Sequence, residues 1–229
     1  MVELYPIFLN VEARPVLIIG GGAVGLRKAQ SLLATGAQVT VLSPEFHGGF
    51  DRLTSIHRMV SIYEPGVLTA QHHPKWMLIF AATNSPHVNA AVMQDAVKAG
   101  ILCCRCDEPA SGDFISPAVQ RRGPLTLALT SGGSAPGLSA AIAENLSAAI
   151  DSTLIAQLEL LARWRRIVLE RVSAAEVRRN LLQRLSGHEM YDMIRTGGQA
   201  GGEEMFAQWL AAAVAQCGLP PSAAVDSRK

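Results

Sequence analysis

The chain has 229 residues, of which 49% are hydrophobic and 17% charged, and its formal net charge is +1. That is enough apolar material for one large domain or two small ones, each with a buried core. A balance this near neutrality excludes a global field that would draw nucleic acid or an anionic membrane, so neither is expected as a partner and any recognition of charge is local.

The opening Met1-Val2-Glu3-Leu4-Tyr5-Pro6 lacks the basic start of a secretion signal, and its apolar run breaks at Pro6. Apolar stretches elsewhere are strand-length, well short of the roughly 20 residues a membrane span needs. Three of the four cysteines crowd at Cys103, Cys104 and Cys106. That spacing is no disulfide framework, and it points to a reducing cytoplasm.

Val16-Leu17-Ile18-Ile19 is a continuous β-branched and apolar run, as expected of a strand buried on both faces. Gly20-Gly21-Gly22 ends it. A helix is predicted from Ala23 to Leu33, with Val24, Ala29, Leu32 and Leu33 sharing one face and Gly36 as its stop. Val39 to Leu42 then completes a βαβ unit. A third strand is predicted at Val60 to Tyr63, followed by an irregular stretch holding His72, His73 and Pro74. Met77 to Ala81 is the fourth strand. Pro86 to Ala99 is helical, capped by Asn84 or Ser85 and ended by Gly100, and Ile101 to Cys106 is the fifth strand. The alternation predicts an α/β fold with a Rossmann-type doubly wound parallel sheet over residues 1–113.

The rhythm then changes. Ala118–Arg121 and Leu125–Leu129 read as two strands around Arg122-Gly123-Pro124. Two strands alone bury too little surface to be stable, so residues 114–150 are expected to be a dimerisation segment of a homodimer, a strand pair plus a helix. Helices are predicted at 138–150, 154–172 and 174–184, then a flexible hinge at Thr196–Gly202, a helix from Glu203 to Cys217 and a disordered tail. Residues 151–229 thus form a helical C-terminal domain.

Gly20-Gly21-Gly22-Ala23-Val24-Gly25 fits G-x-G-x-x-G, and its place between a strand and a helix gives the string its meaning. Gly20 permits the tight turn, Gly22 lets backbone approach a pyrophosphate, and Gly25 allows close packing of helix on strand. Ala23 and Val24 open the helix, whose free N–H groups face the phosphates. The second strand ends in Ser43-Pro44-Glu45, where the fingerprint expects an acidic residue for the ribose. Ser43 can still bond a ribose hydroxyl, and Glu45 opposes a 2′-phosphate, so NAD is expected over NADP. Ala82 and Thr83 close the fourth strand at the same edge.

Asp107 closes the fifth strand. A carboxylate there is either a proton acceptor beside the nicotinamide or a turn-initiating residue. Cys104 and Cys106 share a strand face but lack the partners of a zinc site, so no metal site is assigned and core packing is expected. Thr130 to Gly137 is either an anion-binding nest or a flexible corner. Eight arginines between Arg163 and Arg195 make the C-terminal part locally basic, which suits a substrate with several carboxylates.

These motifs in this order resemble one family. Leu4-Tyr5-Pro6-Ile7-Phe8-Leu9, Gly20 to Ala29 and Ala81-Ala82-Thr83-Asn84 carry the resemblance in the first half of the chain. Cys106-Asp107-Glu108-Pro109, Phe114-Ile115-Ser116-Pro117 and Thr130 to Pro136 carry it onward. Together they resemble the siroheme-synthase N-terminal family, the precorrin-2 dehydrogenases, some of which are also sirohydrochlorin ferrochelatases. The resemblance runs from about Tyr5 to Arg184. It implies a Rossmann domain, a swapped dimerisation segment and a helical C-terminal domain. It implies hydride transfer from precorrin-2 to NAD⁺, giving sirohydrochlorin, and in bifunctional members insertion of Fe²⁺ or Co²⁺. The family's catalytic aspartate falls on Asp107. Ser131, with Gly132 and Gly133, matches the tetrapyrrole site. The chain departs from the family in its cysteines before Asp107, in Gly25 where some relatives have alanine, and in the unmatched tail beyond Thr196. No methyltransferase domain is expected to follow.

Overall fold

A computed structural model describes residues 3–69, 75–150 and 152–217. His72, His73 and Pro74, and the tail after Cys217, lie outside the described residues. The chain folds into two compact units, Met1–Ala118 with Leu129–Ala140, and Val119–Ala128 with Ala141–Lys229.

The first unit is built on five parallel strands, β1 (Pro15–Ile19), β2 (Gln38–Ser43), β3 (Ile56–Val60), β4 (Leu78–Ala81) and β5 (Leu102–Arg105), in the order β3-β2-β1-β4-β5. Successive side chains of a strand point to opposite faces, so each apolar run feeds two cores. Val16, Ile18, Val39, Val41, Leu78 and Phe80 pack with Ala29 of α1 (Ala23–Leu33). Leu17, Ile19, Leu42, Ile79 and Ala81 pack with Val92 and Ala96 of α2 (Pro86–Ala99). The helices therefore cover opposite faces, as the doubly wound pattern requires. Ser85, not Asn84, is the N-cap of α2, with Oγ accepting from the Val88 N–H, and Gly100 ends the helix in the left-handed region.

Two local expectations are corrected. The third strand is Ile56–Val60, four residues before the apolar run Val60–Tyr63. As an edge strand it is half-exposed and interleaves His57 and Arg58 with apolar residues, so it carries no continuous run, whereas Val60 and Ile62 lie exposed. Tyr63, just beyond, is instead latched to α2: its hydroxyl donates to the buried Asp95 at 2.7 Å, and the Gly66 N–H donates to the same oxygen at 2.6 Å. Val24 does not join the buried face of α1; Gly25 and Ala29 do, and Val24 is exposed.

In the second unit, β6 (Ala118–Arg122) and β7 (Leu125–Leu129) form a two-stranded sheet. Arg122 donates to the carbonyls of Ser147 and Ile150 at the end of α3 (Pro136–Ala148), a common way of satisfying a helix C-terminus. Leu160, Trp164 and Val168 of α4 (Ser152–Arg171), spaced by four, pack on Leu181 and Leu185 of α5 (Ala175–Leu185). Chain beyond Gly187 is helical from His188 to Gln216 (α6), broken only at Gly198, where φ is 65° and ψ −168°. The expected hinge Thr196–Gly202 is thus a one-residue kink. One of the glycines read as breakers, Gly202, is there for packing: a Cβ on it would sit 2.7 Å from Ile194 Cγ1 and 3.0 Å from Trp164 Cη2.

Candidate functional site

The glycine turn is clamped between β4 and α1. Gly20 has φ +118°, and a Cβ there would lie 2.4 Å from the Ala82 carbonyl oxygen. A Cβ on Gly25 would lie 2.0 Å from the Gly20 carbonyl oxygen, so only hydrogen lets α1 seat on the turn. Gly22 differs from both. It is the N-cap of α1, no side chain caps it, and nothing lies within 4 Å of where its Cβ would stand. The first turn, with Ala23 and Val24, also lacks acidic residues. Free N–H groups at a helix N-terminus over open space are a cradle for an anionic phosphate, so the residues present fit a dinucleotide.

The other candidates for the cofactor lie along the same edge. A Cβ on Gly21 would lie 2.4 Å from the Glu45 carbonyl oxygen and 3.0 Å from Ser43 Oγ, which brings Ser43-Pro44-Glu45 against the turn. Ser43 is buried, while Pro44 and Glu45 are exposed. Ala82 is tied to β1 by its N–H donating to the Ile19 carbonyl at 2.8 Å. Thr83 is committed internally: Asn89 Oδ1 lies 2.7 Å from its hydroxyl and accepts from its N–H at 3.1 Å, and Asn89 Nδ2 donates back to its carbonyl. Asn89, fully buried on α2, was given no role above; it shares the buried side of the helix with Val92, Asp95 and Ala96.

Asp107 lies two residues beyond β5, its side chain 24% exposed. Arg105 donates to it through Nη2 at 2.7 Å and Nε at 3.3 Å, and its Nη1 reaches Glu108 at 2.6 Å. Desolvation pushes the Asp107 pKa up, but hydrogen bonds from Arg105 and Asn89 outweigh it and hold the carboxyl below its ordinary range. The group is therefore an anion ready to accept a proton, at some cost in basicity.

Beside it is a cavity of about 330 Å³, wholly within the first unit. Val24, Arg27, Lys28, Cys104, Arg105 and Cys106 form one wall, and Ser116, Ser131, Gly133 and Ser139 contribute to the others. Its lining holds three cationic side chains and no carboxylate. Asp107 and Gly132 are not part of the lining, although Cys106 before the one and Ser131 and Gly133 on either side of the other are. Ser131 is ordered by its helix: its Oγ accepts from the Ala135 N–H at 2.9 Å and lies 3.0 Å from Ser139 Oγ, while Gly132 and Gly133 take positive φ. The corner from Thr130 to Gly137 is thus tied by its own side chains, with the Ser134 hydroxyl donating to the Ser131 carbonyl and the Gly132 N–H to Thr130 Oγ1. Arg27 and Lys28, given no role above, lie in the run Gly20 to Ala29 that carries the resemblance.

The cysteines divide by face. Cys103 is fully buried against α2, and burial pushes its thiol up to about 12. Cys104 lies on the other face with Cys106, and the direct interaction of the two thiols leaves Cys104 lowered and Cys106 raised. In the second unit several arginines serve the fold: Arg184 stacks 3.8 Å from the Trp209 ring centroid and Arg178 donates to the Val172 carbonyl. Among the described residues no helix is long and apolar enough to cross a membrane.

Residues 7–118 match a family model described as "Putative NAD(P)-binding". The chain is 35% identical over 213 residues to "Siroheme synthase 2" of Aeromonas hydrophila, covering 91% of this chain and 43% of that protein. It is 32% identical over 211 residues to "Siroheme synthase" of Tolumonas auensis, covering 92% and 44% respectively. The chain thus spans less than half the length of these relatives. Among solved structures, "SirC, precorrin-2 dehydrogenase" superposes with a TM-score of 0.69 at 22% identity, over 91% of this chain and all of that one, and so shares the fold. Glycine turn, parallel sheet and sequence likeness agree: the chain carries an NAD(P)-binding region at residues 7–118 and is similar to the siroheme synthases over nine-tenths of its own length.

Proposed function

We propose that the protein is an NAD-dependent precorrin-2 dehydrogenase that makes sirohydrochlorin. The observation that carries this reading is a carboxylate, Asp107, paired with Arg105, which lines one cavity with Arg27, Lys28 and Val24 of α1, the helix that the open Gly22 caps. When bound, the dinucleotide accepts a hydride. Gly22, Ala23 and Val24 hold its pyrophosphate, Gly20 and Gly25 shape the turn, and Ser43, Pro44 and Glu45 flank the ribose, where Glu45 disfavours a 2′-phosphate. Ala82 and Thr83 wall the inner edge, Thr83 held there by Asn89. Loss of hydride from carbon must be matched by loss of a proton, and Asp107 takes it. The cationic lining, with Ser131, Gly132 and Gly133, receives the carboxylate arms of the tetrapyrrole.

The names of the full-length relatives favour a second step on the same residue, insertion of Fe²⁺ or Co²⁺ as substrate into sirohydrochlorin, with Asp107 accepting pyrrole protons. A homodimer in a reducing cytoplasm completes the proposal. It is supported by the isolated β6–β7 pair and by Leu138, Ile142 and Leu146, an exposed stripe spaced by four on α3.

Incubation with precorrin-2 and NAD⁺ tests the reading: NADH and sirohydrochlorin should appear together, and more slowly with NADP⁺. Dinucleotide binding without turnover would replace it with an NAD-sensing module or a dehydrogenase of another substrate. Metal insertion timed against the uncatalysed rate tests the second step, and sedimentation tests the dimer.

A further inference from the structure

We propose that Asn89 is a positioning residue whose single amide locks Thr83 and Asp107 together, fixing the proton acceptor against the edge that faces the dinucleotide. The task given to Asp107 rests on the dehydrogenase reading above; the lock itself is geometry.

The strands bring the two residues together. β4 and β5 end in register, with Ala81 opposite Arg105, and the Cys106 N–H donates to the Ala81 carbonyl at 2.9 Å. Thr83 and Asp107 each follow two residues after that last pair, so the two segments leave the sheet side by side. Asn89 reaches them from α2, four residues after the Ser85 cap, where side chains lean back toward the start of the helix. It is wholly buried.

A primary amide offers two N–H donors and one oxygen with two lone pairs. Asn89 Oδ1 accepts the Thr83 N–H at 3.1 Å and lies 2.7 Å from the Thr83 hydroxyl, while Nδ2 donates to the Thr83 carbonyl at 3.1 Å. A backbone N–H can only donate and a carbonyl only accept, so these bonds fix which end of the amide is which. The other Nδ2 proton is left for the Asp107 carboxylate, which it bonds. A carboxylate in place of this amide would turn an oxygen on both the Thr83 carbonyl and Asp107. Arg105 holds Asp107 from β5, sharing its guanidinium with Glu108, and the Cys106 thiol feels the Asp107 charge. Those groups come from Asp107's own stretch of chain, and Asn89 is the grip that α2 supplies. A carboxylate gripped from two elements keeps one orientation, which proton removal from a bound substrate requires.

The test titrates the Asp107 carboxyl by carbon-13 resonance in the whole folded chain, with Asp107→Asn identifying the signal. Asn89→Ala removes a donor to the charged form and should raise the midpoint by about one pH unit, a tenfold change in proton affinity. Val92→Ala opens a cavity on the same helix, so it should lower the unfolding temperature and leave the midpoint in place. An unchanged midpoint in a folded Asn89→Ala chain overturns the proposal, as does an equal shift in Val92→Ala, which would make the effect one of packing. Should Asn89→Ala not fold, the unaltered chain decides: the side-chain amide protons of Asn89 should shift with the Asp107 midpoint, and protons that ignore it refute the lock. None of these readouts needs turnover. In active enzyme the acid limb of kcat should follow the carboxyl; a chain that passes every titration yet leaves precorrin-2 unoxidised overturns the dehydrogenase and not the lock.

Discussion

Arg105 and Asp107 form a two-point ion pair at the end of β5, with nitrogen–oxygen distances of 2.7 and 3.3 Å, and the same guanidinium reaches Glu108 at 2.6 Å. Arg105 is 8% exposed and Asp107 more open, so the pair sits where the sheet meets solvent. The planar fork fixes the carboxylate in orientation as well as in charge. A base so held is always available, yet weaker than a free carboxylate.

Arg105→Gln should therefore raise the Asp107 pKa. If Asp107 accepts the proton, the acid limb of kcat/KM for precorrin-2 moves to higher pH. The stability effect has the opposite reach. Because the folded-state pKa is lowered, the pair stabilises above the unfolded carboxylate pKa, and that contribution is lost as pH falls through the folded value. Wild type and Arg105→Gln should thus differ in unfolding midpoint at neutral pH and converge in acid. An acid limb that stays put would remove Asp107 from the proton step.

The glycine turn predicts a split between fold and ligand. Gly25→Ala puts a Cβ 2.0 Å from the Gly20 carbonyl oxygen, so α1 must shift and the unfolding temperature should fall. Gly22→Ala meets nothing within 4 Å and should leave unfolding nearly unchanged. Its methyl group enters the cradle, so the Kd for NAD should rise by about tenfold, roughly 1.4 kcal/mol. Calorimetric titration beside a thermal melt checks both, and equal effects on melt and Kd in the two variants would contradict the assignment.

Away from the site, Asp95 is a stability element. It is 4% exposed, and its Oδ2 accepts from Tyr63 and Gly66 while its Oδ1 is 3.3 Å from Lys98 Nζ. Burial opposes its charge, but these partners prevail and hold its pKa low. Asp95→Ala strips the Tyr63 hydroxyl of this acceptor and should cost about 1–3 kcal/mol in denaturant unfolding. NAD binding should survive, since the latch ties chain after β3 to α2 and lies apart from the glycine turn.

Most of the first unit was legible because its signals are local. Val16–Ile19 and Met77–Ala81 are continuous apolar runs of the kind a doubly covered parallel sheet demands, and Gly36 and Gly100 punctuate the helices. The edge strand Ile56–Val60 lacks such a run because both its faces are only partly covered: Ile56 packs on one core and Met59 on the other, while His57 and Val60 are exposed. In the candidate site, the glycine turn could be read from its place along the chain, whereas position left Asp107 open between a proton acceptor and a turn residue and the resemblance singled it out. Arg105, Asn89 and Lys28 could not, since their roles come from neighbours that only folding supplies. The stretch from Gly197 to Gly202 misled for a related reason: glycine reads as a breaker, yet three of its four glycines leave the helix intact, and Gly202 is demanded by the facing Trp164.

That contrast within α6 gives a last prediction, because Gly198 and Gly202 resist substitution for different causes. At Gly198 nothing lies within 4 Å of a Cβ, so Gly198→Ala meets no clash; it meets only a backbone at φ 65° and ψ −168°, a region held almost solely by glycine. The cost should be about 1–3 kcal/mol of backbone strain. Gly202→Ala keeps helical backbone but drives a methyl group against Ile194 and the Trp164 ring, which stacks on Phe206 at 4.8 Å. Overpacking should cost a similar amount, about 1–3 kcal/mol. Ile194→Val separates them. Removing a methyl group beside Gly202 should restore much of what Gly202→Ala loses and nothing of what Gly198→Ala loses, a coupling that double-mutant thermal unfolding measures. Equal rescue of both would mean that the kink and the Trp164 contact are one strained feature.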